Sequence, residues 1–177
     1  MLVSDSASLF ALAEEVDISP NDDLEIYTEI SPLRPALQLA WEWAAPSLNE
    51  DGSLSRNVFN PAHLKHLMNH ISLMEGVQEN GQLVDFKIRF LSRILVEHVG
   101  EKSGKMATAS LPQAFLDRWL KAGQFALSHQ KPYIARTHVI GKEHRRAEHL
   151  ILPIRIKGEI GQILCFTDIW FPGSENS

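Results

Sequence analysis

VQENGQLVDFKIRF, residues 77–90, decides the fold. Val84, Phe86, Ile88 and Phe90 alternate with Asp85, Lys87 and Arg89, the period of a strand with one buried and one wet face. Asn80-Gly81 is a dipeptide that accepts the positive φ angles of a two-residue hairpin turn, so this strand should fold back on one over residues 70–78. An antiparallel sheet is the expected frame.

Working outward toward the C-terminus, a short helix is expected over residues 94–99. A longer one is expected over 112–128, with Ser110 and Gln113 as a capping box and Phe115, Trp119, Ala122 and Ala126 along one stripe. Three more strands are expected near 132–141, 144–156 and 161–171, separated by tight turns at Gly141 and Gly158 to Gly161. Toward the N-terminus, Asn60 and Pro61 read as the cap and first residue of a short helix. SPLRPALQLAWEWAAP, residues 31–46, reads as an amphipathic helix over 32–44, with Ser31 as its cap. Leu9, Leu12, Ala13 and Val16 sit at helical spacing over residues 6–16. The expected organisation is an N-terminal extension over 1–30, a domain over 31–171 and a tail over 172–177.

The composition bounds the function. The chain has 177 residues, 44% of them hydrophobic and 22% charged, which suits one globular domain. A formal charge of -5, with KEHRR as the nearest approach to a basic cluster, argues against a nucleic-acid partner. No window is long and apolar enough to span a membrane. The N-terminal residues lack the basic start and apolar run of a secretion signal, so a cytoplasmic location is the default expectation. The single Cys165 excludes an intramolecular disulfide and any Cys-rich metal site.

LSRNVFNPAHLKHLMNHISLMEGV, DFKIRFLSRILVEHVGEKSGK and AEHLILPI, taken in that order, resemble a single-domain bacterial PAS family long filed as a domain of unknown function. The resemblance covers residues 32–170. It rests on Arg56, on Phe59-Asn60-Pro61, on Phe86, Arg89 and Phe90, on Gly100 and Gly104, and on Glu148 with Leu150, Leu152 and Pro153. Ser92-Arg93 departs from the Gly-Thr pair usual in that family. The resemblance implies an α+β, PAS-like fold: a five-stranded antiparallel sheet with helices on one face, here with N-terminal helices covering the other. It also implies a sensory or regulatory module that encloses an unidentified small molecule and signals through a partner protein. No segment of the sequence reads as an output domain.

Phe86, Ile88 and Phe90 on the second strand, Trp119 on the long helix and His138 are the candidates for lining an apolar ligand cavity. A solid core, and hence a ligand-free interaction module, is the competing reading of the same stripe. The cofactor is left open. His63, His66 and His70 at helical spacing invite a metal, but no carboxylate or Cys accompanies them, so no metal is expected. His98 lies roughly where haem-binding PAS domains place an axial ligand, without a supporting motif. Cys165 lies on the last strand, not in a photoreactive helical loop. His138, His149 and Asp168 on the last three strands could converge for acid–base work, but without a nucleophile motif no enzyme is expected.

The fourth and fifth strands carry large apolar side chains on both faces. Leu150, Leu152, Ile154 and Ile156 share one face, and Ile151 shares the other with His149. A soluble monomer does not leave such a surface wet. The expected cover is the 32–44 helix with Leu33, Leu37 and Trp41, and a two-fold homodimer is expected at the same surface, with Ile151 among its interface residues.

Overall fold

The computed structural model describes residues 23–173. Its elements in chain order are β1 (Glu25–Tyr27), α1 (Pro35–Ala44), β2 (Leu54–Ser55), β3 (Ile71–Glu79), β4 (Gln82–Phe90), α2 (Arg93–Val99), α3 (Ala107–Ser110), α4 (Gln113–His129), β5 (Tyr133–Val139), β6 (Lys142–Ile156) and β7 (Glu159–Trp170). The helix expected over residues 6–16 lies outside the described residues, as does the tail beyond residue 173.

The fold is α+β, with one mostly antiparallel sheet in the order β1-β5-β6-β7-β3-β4. The strand count among the described residues departs from expectation: seven, not five. β1 pairs antiparallel with β5, and β2 lies parallel beside the far end of β6, past the reach of β5. Strands of three and two residues are too short to show a period, which is why neither is visible in the sequence.

The β3–β4 hairpin forms as its sequence requires. Asn80 and Gly81 both take positive φ, 52° and 78°, as a type I′ turn demands. Strict alternation fails at two bulges. Val77 pairs with Asp85 but Gln78 with Leu83, and Met74 pairs with Ile88 but Leu73 with Phe90, so Val84 and Arg89 are the extra residues. The second bulge turns Phe90 to the opposite face from Phe86 and Ile88, where it stacks on Phe59 at 6.1 Å. The edge of β4 is not left bare. Gly104 donates to the Ile88 carbonyl and Ile88 N–H donates to that of Lys105, so the 104–106 segment runs along the strand as cover.

Each face of the sheet carries its own core. On the inner face Phe86, Ile88, Ile151, Ile163 and Cys165 pack with Leu95 of α2, Ala107 of α3 and Leu116, Phe125 and Ala126 of α4. On the outer face Leu150, Leu152, Ile154, Leu164 and Phe166 pack with Leu37, Ala40 and Ala44 of α1, and with Leu64 and Leu67 of the 3-10 segment Pro61–Leu67. All five of those outer-face strand side chains are shut off from water within one chain. Burying each stabilises by about 1.5–3 kcal/mol, which explains the run of apolar residues on β6. As expected, α1 covers this surface within the chain, with Leu33 and Trp41 partly buried at its margin. Ile151 points the other way, into the inner core, because it is one residue out of phase with Leu150 and Leu152.

Three capping details differ from expectation or settle it. Arg34, not Ser31, is the N-cap of α1, because Pro35 opens the helix. Ser110 ends α3 and donates to the Met106 carbonyl, and Pro112 is the N-cap of α4, so no capping box forms there. Ser92, which stands in for the resemblance's Gly-Thr, accepts from Leu95 N–H at 3.1 Å and caps α2, so the turn after β4 is intact.

Candidate functional site

Between the inner sheet face and α4 lies a cavity of about 60 Å³. That is room for at most about four waters, far less than the ~300 Å³ of a drug-sized site. Its position follows from α4 packing closely at Gly123 and leaving a gap where Trp119 and Ala122 face β5 and β6. The wall is chiefly apolar, including Leu24, Met74, Phe86, Ile151 and Ile163.

Of the residues expected at a cavity, Phe86 and Trp119 line it. Ile88 is in the same core without reaching the cavity wall. Phe90 is on the outer face for the reason given above. His138 is also misplaced: on β5 the inner-face residues are Tyr133, Ala135 and Thr137, and His138 has the opposite parity. It is held at the sheet edge instead. The Arg146 guanidinium, which can only donate, sits 3.1 Å from His138 Nε2, so the ring proton is on Nδ1 and is donated to Asp23 Oδ2 at 2.7 Å. His138 and Asp168 thus lie away from His149, and the three do not converge.

The polar groups in the cavity wall were not singled out as a binding set from the sequence. His149 on β6 shares its Nδ1 with the Thr167 hydroxyl at 2.8 Å, and Cys165 Sγ lies 3.6 Å from that hydroxyl and 3.9 Å from His149 Nδ1. Burial, reinforced by the positive charge of Arg118, pushes His149 down to about 4. Burial pushes the Cys165 thiol up to about 11, against the opposing hydrogen bond from Thr167. Both are neutral near pH 7, the reverse of a thiolate–imidazolium pair. Tyr133 donates its hydroxyl to the Ala122 carbonyl, and burial raises its pKa well above the usual value. Thr137 is 3% exposed, and neither its hydroxyl nor His149 Nε2 makes a hydrogen bond to another described residue. The register around the Gly141 turn was the available signal: it pairs Ala135 with His149 and Thr137 with Ala147, which puts all four on the face of Ile151.

Arg118 is the charged side chain in the wall. It donates to the His138 carbonyl at 2.8 Å and to Asp23 Oδ1 at 2.6 Å. Burial would raise the Asp23 carboxyl, but hydrogen bonds from the His138 backbone and ring, with Arg118, outweigh it and hold the pKa below its usual value.

A second polar cluster is structural. Glu148, 2% exposed on the outer face, accepts from Arg136 Nε and from the Arg34 backbone N–H, both at 2.7 Å. Arg34 also donates to Asp168 at 3.1 Å and lies over the Trp170 ring. The carboxylate therefore sits at the start of α1 and fixes where that helix meets the sheet.

The histidines considered as metal or haem ligands are placed as follows. His63 and His66 are exposed, and His70 Nδ1 meets the Thr167 carbonyl at 2.8 Å. His98 Nε2 accepts from Arg145 and its Nδ1–H donates to the Ile94 carbonyl, so both ring nitrogens are engaged. Among the described residues no group of three or more His, Cys, Asp or Glu could hold a metal ion, and no helix is long and apolar enough to cross a membrane.

No protein-family model matches the chain, and no curated protein matches it. Among solved structures it is similar to an RNA-binding light-oxygen-voltage receptor, with a TM-score of 0.38 and 12% sequence identity. The match covers 85% of this chain and 39% of the receptor chain, so the chain spans about two fifths of that protein's length.

Proposed function

We propose that the chain is a PAS-type sensory module that admits a small molecule to the inner-face cavity and acts on a partner protein. The observation that carries this reading is the cavity itself: an apolar space in which Thr137 and His149 each keep a polar atom without a protein partner. Neither atom is among the fully buried polar atoms that lack a partner, so both open onto the space itself, where a guest could give each a hydrogen bond. The five long antiparallel strands with the helical segment α2 to α4 over one face support it.

The test is to extract gently purified protein and analyse the released small molecules by mass spectrometry, alongside amide chemical-shift mapping against a panel of small fragments. A retained molecule, or saturable shifts at Ala135, Ile151 and Cys165 that vanish when Ala135→Leu fills the space, supports the sensor. If neither occurs, the chain is a ligand-free interaction module.

A further inference from the structure

We infer that the guest is a small neutral alcohol of at most about four heavy atoms whose hydroxyl bridges Thr137 and His149. This rests on the cavity being a ligand site. The size follows from the space for at most about four waters. The apolar remainder of the guest follows from the wall, where Phe86, Ile151 and Ile163 offer contact without hydrogen bonds.

The hydroxyl follows from the two polar atoms. Thr137 pairs with Ala147 and His149 with Ala135, so Thr137 and His149 are diagonal neighbours on the same sheet face. Such neighbours have Cα atoms about 7–8 Å apart, with Cβ atoms somewhat closer. With the side chains reaching inward from those Cα atoms, one group making two hydrogen bonds of about 2.8 Å, a span of about 5–6 Å, is of the size needed to join their polar atoms. Thr137 can donate or accept. His149 Nε2 does one or the other, according to whether Nδ1 donates to Thr167 or accepts from it. A hydroxyl satisfies both residues in either arrangement, whereas a carbonyl, which only accepts, requires the proton on Nε2.

Neutrality follows from the charges. Arg118, the cation in the wall, is already matched by Asp23 at 2.6 Å, so a carboxylate guest would be desolvated against a cation whose charge is in use. Among the described residues no carboxylate lines the cavity to receive an ammonium group. The low proton affinity of His149 agrees with this, since the ring offers a guest no charge near pH 7.

The experiment titrates the full chain with 1-propanol at millimolar concentration and follows the amide shifts of Ala135, His149 and Ile151. Propionate, propylammonium and xenon are run as separate arms. The expected result is saturable 1-propanol binding, weakened about fivefold by the near-isosteric Thr137→Val, with xenon binding unchanged in that variant. Propionate and propylammonium should bind at least tenfold more weakly. Xenon entry without saturable 1-propanol binding, or an unaltered 1-propanol affinity in Thr137→Val, overturns the alcohol and leaves the ligand cavity standing. Propionate or propylammonium binding as tightly as 1-propanol overturns neutrality. If neither xenon nor 1-propanol enters, the cavity is not a ligand site, and both readings fall.

Discussion

Gly123→Ala probes the packing that creates the cavity. Gly123 is buried in the middle of α4, where glycine costs about 1 kcal/mol relative to alanine. By propensity alone the substitution should stabilise. A Cβ at this position, however, would lie 2.2 Å from the Phe86 ring tip and 2.6 Å from a Leu83 methyl, where ordinary contact begins near 3.4 Å. Phe86 or the helix must give by about 1 Å. Overpacking of this kind costs about 1–3 kcal/mol. Part of it is relieved if the ring tip, which borders the cavity, swings into the open space. Subtracting the propensity gain leaves a net loss of about 0–2 kcal/mol, or up to about 8 °C in Tm for a chain of this length. Urea unfolding followed by tryptophan fluorescence measures the loss, and xenon uptake should fall with it. Adding Phe86→Leu should recover much of the stability, since it removes the nearest clashing atoms. A Gly123→Ala protein about 1 kcal/mol more stable than the parent, with xenon uptake unchanged, would refute the close approach and the account of how the cavity is held open.

Three further outcomes are expected. Arg136→Met should destabilise by about 3 kcal/mol, because it strands the buried Glu148 carboxylate; Glu148→Gln should cost less in the same denaturant assay. His149, at about 4 in the folded state, stays neutral in a range where the unfolded chain is protonated below about 6.5. Its contribution is therefore complete above pH 6.5 and is lost as the pH falls toward 4, by at most about 3 kcal/mol. Unfolding free energies at pH 7 and 4.5 should show an excess acid loss in the parent over His149→Phe. Ser92→Ala should cost about 1 kcal/mol through the lost α2 cap, read as a lower urea midpoint with an unchanged slope.

Local chemistry made much of the frame legible. Asn80-Gly81 names a turn that only two positive φ angles satisfy, and the doubly apolar β6 required a cover on each face, which α1 and α4 supply. The site was less legible because it depends on phase. One bulge at Arg89 moves Phe90 across the sheet, and a one-residue difference separates Thr137 from His138 and Ile151 from Leu150. A bulge leaves no compositional mark, since Arg89 is as suitable for a wet strand position as for an extra residue. The Arg136–Glu148 pair was recoverable in principle from the Gly141 turn, but only once the register of that hairpin is fixed.

The pairing of β1 with β5 and of β2 with β6 sets an order of assembly. Ile26 meets Ala135 and Leu54 meets Ile154, partners about a hundred residues further along the chain. At a synthesis rate of roughly 5–20 residues per second, β1, β2 and the apolar side of α1 wait about 5–20 seconds for their strands to be made. The β3–β4 hairpin closes around its own two-residue turn and needs no such wait. On the ribosome the local hairpin is therefore expected to form before the pairs that β1 and β2 make. During that interval Leu37, Ala40 and Ala44 stand exposed, so this is the period in which a chaperone matters most and in which aggregation would begin at α1.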